Sequence, residues 1–136
     1  MKYFTVDEAN ALISQCDEIF THALRLRDEA EQKAIRLRDL EGADEPDDTE
    51  ITLIRSQLQF LVNGVNEWLR KIVDFGALPK GLEPALVDFP HRLDKKEVFL
   101  CWSRGEKKIT HYHGLDEGFQ GRQPLPKKKK TRKKKS

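Results

Sequence analysis

Apolar residues recur every three or four positions over the first third of the chain. Val6, Ala9, Ile13, Cys16, Phe20 and Ala23 form one line, which continues through Ala30, Ala34 and Leu37, and Leu12, Ile19 and Leu26 widen it. That period belongs to an α-helix. The pattern predicts a helix over residues 5–41, about 50 Å long at about 1.5 Å per residue. Its start is a capping box, T-V-D-E, in which Thr5 and Glu8 satisfy each other's backbone amides. Phe4 precedes the cap, where it can staple onto the first turn, and Asp7 adds negative charge at the positive end of the helix dipole. The acidic turn GADEPDD, with Gly42 and Pro46, interrupts the pattern, and Asp48 or Thr49 can cap a second helix beyond it.

A cleaner repeat then runs through Ile51, Ile54, Leu58, Leu61, Val65, Trp68, Ile72 and Phe75. Such a/d spacing predicts a second helix over 49–76, ended by Gly76 and Pro79. Two heptad-patterned helices joined by a short loop should fold back as a long, coiled-coil-like antiparallel hairpin. Trp68 and Cys16 fall on its seam as packing residues.

Beyond Pro79 the period shortens to two. ALVDFP (85–90) alternates weakly and is expected to stop at Pro90. EVFLCWS (97–103) and KKITHYH (107–113) are β-rich and separated by the turn R-G-E. With a two-residue connection there, Val98, Leu100 and Trp102 share a face with Ile109, His111 and His113, while Phe99 and Cys101 point the other way with Thr110 and Tyr112. A third strand over 86–89 completes a small antiparallel meander. Hairpins are marginal alone in water. The meander is therefore expected to rest on the open end of the helical hairpin, near Phe4, Leu12, Ile72 and Phe75. The fold class is α+β, with residues 1–126 as one domain, of which 85–126 form the meander and the GFQGRQP loop.

Composition adds one asymmetry. The 136 residues are 38% hydrophobic and 35% charged, with a net charge of +2. Eight positive charges are Lys127, Lys128, Lys129, Lys130, Arg132, Lys133, Lys134 and Lys135; the other 17 Lys and Arg face 23 Asp and Glu, a balance of −6. The segment 127–136 is expected to stay disordered and to touch nucleic acid or other polyanions without sequence readout, because no aromatic residues are interleaved to stack on bases. A solubility tail is the plainer account. The two cysteines show no disulfide spacing and the N-terminus no apolar signal segment, so a cytoplasmic protein without membrane association is expected.

The strings KYFTVDEANALI, GLEPALVDFP and EVFLCWSRGEKKITHYHGLDEGFQGRQPL together resemble a family of uncharacterised small bacterial proteins, DUF2203. The resemblance covers nearly all of residues 2–125. It implies no established activity. It places the family's pattern on Asp88, Phe89, Cys101, Trp102, Gly105, Glu106, His113, Asp116, Gly118, Phe119, Gly121 and Arg122.

These residues offer several chemistries. His111 and His113 form H-x-H on a strand, about 6.5–7 Å apart along the chain, a spacing that can chelate a metal. A third ligand would come from Cys101, His91, Glu106 or Asp116, with Cys101 expected on the opposite face. Asp88 lies among apolar residues and needs a partner. Arg122, in a glycine-flanked loop, can pair with it and pin that loop, or receive an anionic ligand beside the Gly118 and Gly121 amides. Cys101 next to Trp102 reads as packing unless His113 serves it as a base. The loop GLDEGFQG, with Asp116, fits neither a calcium loop nor a phosphate loop and reads as a packed segment anchored by Phe119.

No cofactor is implied. The leading expectation is a non-catalytic binding or scaffold module, homodimeric or partnered through its helix faces. A rival is a small enzyme or anionic-ligand-binding protein, its pocket lying between the meander, the GFQGRQP loop and the helices, with Asp88, Glu106, His113 and Arg122 lining it. A third is an accessory factor held to nucleic acid by its tail.

Overall fold

A computed structural model describes residues 2–126. The expected polycation tail and its contacts lie outside the described residues. The chain runs α1 (Val6–Asn10), α2 (Ile13–Glu41), α3 (Asp48–Asp74), then five strands: β1 (Leu78–Leu82), β2 (Ala85–Leu93), β3 (Lys96–Ser103), β4 (His111–Gly114) and β5 (Gln123–Pro124). The class is α+β. No helix among the described residues is long and apolar enough to cross a membrane.

The capping box forms as expected: the Glu8 amide donates to Thr5 Oγ1 at 3.0 Å and the Thr5 amide to Glu8 Oε1 at 2.8 Å. The single helix predicted over 5–41 is instead broken after one turn. The Leu12 amide bonds Ala9 O, three residues back, which tightens the chain between α1 and α2. No Gly or Pro marks the break. Phe4, ahead of the cap, is buried in the same core as Ala9 of α1. It packs edge-on against Phe89 at 5.2 Å, and its amide donates to Pro90 O at 2.7 Å.

Helices α2 and α3 run antiparallel. Arg36–Glu50 and Arg55–Glu41 ion pairs bridge them near the connecting loop, and the rings of His22 and Trp68 stack at 4.1 Å further along. The cap of α3 is Asp47, one residue ahead of Asp48 and two ahead of Thr49, accepting from the Thr49 and Glu50 amides.

All five strands pair in chain order, antiparallel throughout. The first and last were not legible as strands. β1 carries Pro79 and a register shift before Gly81, features tolerated only at a sheet edge. β2 continues through Pro90 to Leu93 rather than stopping. In an antiparallel strand a residue's N–H and C=O point to the same side, and Pro90 O faces Phe4, beyond the end of β1. The missing N–H therefore costs no ladder bond. Asp94 and Lys95, both at positive φ, make the tight turn into β3.

The two faces of the sheet have separate roles. Ala85, Val87, Phe89, Leu100 and Trp102 join Phe4, Cys16, Phe20, Ile72 and Ala77 in one core, with Leu12 and Phe75 packed against it. This is the expected resting place of the meander on the helices. The opposite face carries Leu86, Asp88, Phe99, Cys101 and His113.

Candidate functional site

That second composition arises from the β3–β4 connection. It is seven residues, 104–110, not two. Gly105 at φ +105° opens a turn in which the Glu106 amide bonds Ser103 O and the Trp102 indole N–H donates to Glu106 O at 2.8 Å. The segment then leaves the sheet far enough to bury Ile109, whose amide donates to Asn10 Oδ1. On re-entry Phe99 pairs with His113, Leu100 with Tyr112 and Cys101 with His111. The expected parity is therefore reversed in β4. His111 and His113 share the face of Phe99 and Cys101, and Tyr112 turns towards the core.

This reversal assembles a cluster that the expected register forbade. Asp88 on β2, Cys101 on β3 and His113 on β4 are all buried, and their candidate ligand atoms lie within 4.8 Å of one another. Asp88 Oδ1 is 3.0 Å from His113 Nε2. The other ring nitrogen, Nδ1, donates to Gly114 O at 2.9 Å. A carbonyl only accepts, so Nδ1 carries the proton. The Cys101 thiol is pushed up to about 11, first by burial and then by the Asp88 carboxylate beside it.

The cluster floors a cavity of about 370 Å³ that opens on the sheet face turned away from the helices. Lys80 of β1, Leu86 and Phe99 form its walls, and Leu115 to Phe119 its roof. The roof is held at its root by Glu117, whose Oε1 accepts from the Gly114 amide at 2.8 Å. Of the four residues expected to line one pocket between sheet, loop and helices, this cavity takes Asp88 and His113 and no helix residue lines it, whereas Glu106 lines a separate cavity beside Asn10, Ile13 and Asp17.

The Asp88–Arg122 pair does not form. Asp88 is taken by His113, and Arg122 Nη2 instead reaches both carboxylate oxygens of Glu106, at 3.0 and 3.1 Å, and the Cys101 carbonyl at 3.3 Å. Glu106 Oε1 also accepts from the Ser103 amide, and the Arg122 guanidinium lies 4.7 Å over Phe119. Glu106 and Arg122 therefore latch the loop beside the pocket and do not line it. Asp116 does line it. Trp102 faces Phe20 in the core, and His111 contacts Thr110 Oγ1 outside the buried cluster. His91 Nδ1 donates to Phe4 O at 2.7 Å, further along β2 from Asp88. Lys80 and Glu117 were missed by sequence reasoning: the first lies on the unread edge strand, and the second passed as one of two loop carboxylates.

A family model described as "Uncharacterized conserved protein (DUF2203)" matches residues 2–125, and the chain belongs to that family. No curated protein and no solved structure matches the chain significantly.

Proposed function

We propose that the protein is a non-catalytic binding module whose ligand enters the cavity over Asp88, Cys101 and His113. The observation that carries the reading is the burial of a carboxylate and an imidazole on the sheet face that none of the described helices covers. Burying such groups costs stability that apolar residues at the same positions would not. The cavity's size falls in the usual range for small ligands, about 300–1,000 Å³. Cys101 argues against covalent catalysis, because a thiol raised to about 11 offers little thiolate at neutral pH.

The test is a titration of isotope-labelled protein with divalent cations, phosphate and small carboxylates, followed by amide resonances. Shifts clustered at residues 86–88, 99–101 and 113–119 support the reading. A panel that moves none of them, or moves only the helical hairpin, sinks it.

A second reading, association through the helices, is favoured by Phe60. It is 75% exposed on α3, two turns from Leu53 at 55%, on the same face. If that face joins two copies, wild type sediments as a dimer and Phe60→Lys as a monomer. Equal sedimentation as monomers refutes it.

A further inference from the structure

We propose that Asp88, Cys101 and His113 form a divalent transition-metal site, filled by zinc, with a fourth coordination position open to the cavity. The inference deepens the pocket reading above and rests on it.

The donor set is the first argument. One thiol sulfur, one imidazole nitrogen and one carboxylate oxygen make a borderline-soft set of the kind zinc prefers over magnesium or calcium, which take oxygen alone. The spacing is the second. With bonds of about 2.0–2.3 Å, donors around a tetrahedral zinc sit about 3.5 Å apart. Here they lie within 4.8 Å of one another, and Asp88 and His113 are already at 3.0 Å. Closing the widest gap from 4.8 Å to about 3.5 Å is a movement of side-chain size.

The third argument is the orientation of the histidine. Because Nδ1 donates to Gly114 O, Nε2 is the nitrogen aimed at Asp88 and Cys101. Metal-binding histidines are commonly fixed in this way, with the far nitrogen held by a backbone carbonyl. An imidazole lone pair and a carboxylate oxygen that face each other at hydrogen-bonding distance require something positive between them, a proton or a metal ion. The sulfur within 4.8 Å of both is a third donor, which a metal ion would use and a shared proton would not.

The scaffold is the fourth. The three residues stand on three consecutive strands, with Asp88 and Cys101 directly paired, so the ladder fixes their separation. The core and flanking strands close the other approaches, and the open side is the cavity, where a water molecule or an anionic ligand completes a fourth position. Lys80 on the wall suits the anion.

Two measurements on the full chain decide it. Zinc is titrated against a chromophoric chelator, and cobalt is added to the metal-free protein to look for the near-ultraviolet thiolate-to-metal band. Wild type should bind one zinc and show the band. Cys101→Ser should lose the band. Asp88→Asn should weaken zinc binding by more than the roughly 10–100-fold typical of outer-shell changes. His111→Asn should change neither. The wild-type cobalt spectrum needs no variant, so a variant that fails to fold leaves the test intact. Absence of the band in wild type, or zinc affinity equal in wild type, Cys101→Ser and Asp88→Asn, overturns the metal site. If carboxylates or phosphate still shift the pocket resonances in that case, the pocket reading survives alone. If no probe shifts them, both fall.

Discussion

Replacing Arg122 with methionine should free the 115–125 loop while leaving the sheet folded. Methionine keeps the apolar stem and removes the charge, so the change reports on the latch. The pair with Glu106 is neither exposed nor deeply buried: 13% and 29% of the two side chains remain accessible. Exposed pairs contribute about 0.2–1 kcal/mol, and breaking a fully buried pair costs about 3–5 kcal/mol. Glu106 retains the Ser103 amide after the change, which softens the loss. Arg122 Nε is buried without a partner, so its removal also relieves an unmet donor. The lost stacking over Phe119 adds about 0.5–1 kcal/mol. The net expectation is about 2 kcal/mol, or roughly 8 °C in Tm at about 4 °C per kcal/mol. Urea unfolding of wild type, Arg122→Met, Glu106→Gln and the double variant gives the coupling between the two side chains, expected at about 1–1.5 kcal/mol. Hydrogen exchange at the Gly121 and Arg122 amides, which bond within the 3₁₀ turn Phe119–Gly121, should accelerate before any amide of β2 or β3 does. A coupling below about 0.3 kcal/mol, the usual error of additivity, refutes the latch.

Three further outcomes are expected. In metal-free buffer Asp88→Asn should match or exceed wild-type stability to within about 1 kcal/mol, because the amide N–H satisfies His113 Nε2. Asp88→Ala should cost about 1–3 kcal/mol by orphaning it, and equal urea midpoints for the two variants would refute this account. The thiols of Cys16 and Cys101 are pushed up to about 12 and about 11, chiefly by burial, from an ordinary value of 9.0. Folded values above unfolded ones stabilise fully below pH 9, and that contribution is lost as the pH rises towards the folded values. In metal-free buffer, from about pH 8 to about pH 10, each thiol should cost wild type about 1.4 kcal/mol that a Cys16→Ala/Cys101→Ser double variant does not lose, and parallel urea curves would contradict it. Gly76 and Gly105 both stand near φ +100°, and an added Cβ meets Lys2 and Phe4 at 3.4 Å at the first and nothing at the second. Backbone strain then dominates, so Gly76→Ala and Gly105→Ala should each cost about 1–3 kcal/mol by thermal unfolding. A loss confined to Gly76 would show that packing decides instead.

The helical half was legible because its code is local. A capping box, a three-four spacing and a glycine stop need nothing beyond the segment that carries them, and all three appear in the structure. The break at Leu12 was not: no residue there signals it, and Phe4 and Ala9 beside it are buried in a core built partly by residues 85–109. The sheet was legible in outline and wrong in register for the same reason. A period of two says that neighbours alternate, but the length of a connection says which set faces which way. R-G-E reads as a tight turn. What lengthens it is tertiary: Ile109 is buried in the core by its bond to Asn10, and Trp102 draws Glu106 O to its indole. One wrong parity placed Cys101 and His113 on opposite faces, while the Asp88–Arg122 pairing rested only on Asp88's need for a partner. Asp88, Cys101 and His113 stand out in the sequence by residue type alone, but their partners do not.

The same register explains why a marginal sheet can hold a buried polar cluster. Neighbours along β2 and β3 serve opposite faces: Val87 and Phe89 flank Asp88, and Leu100 and Trp102 flank Cys101. Each polar residue is thereby fixed by two apolar residues locked into the helices. The cost of burying Asp88 and His113 is met by the Phe89, Leu100 and Trp102 side of the same strands, which lose essentially all contact with water. The two faces are therefore coupled through the strands they share. Loosening the core, as Phe89→Ala would, removes the support that holds the three donor atoms within reach of one another. Changing a donor atom removes no apolar side chain from the core, and a change that keeps every polar partner, such as Asp88→Asn, costs little. A pocket built this way can be tuned in chemistry without endangering the fold, whereas its geometry is inherited from the helical hairpin behind it.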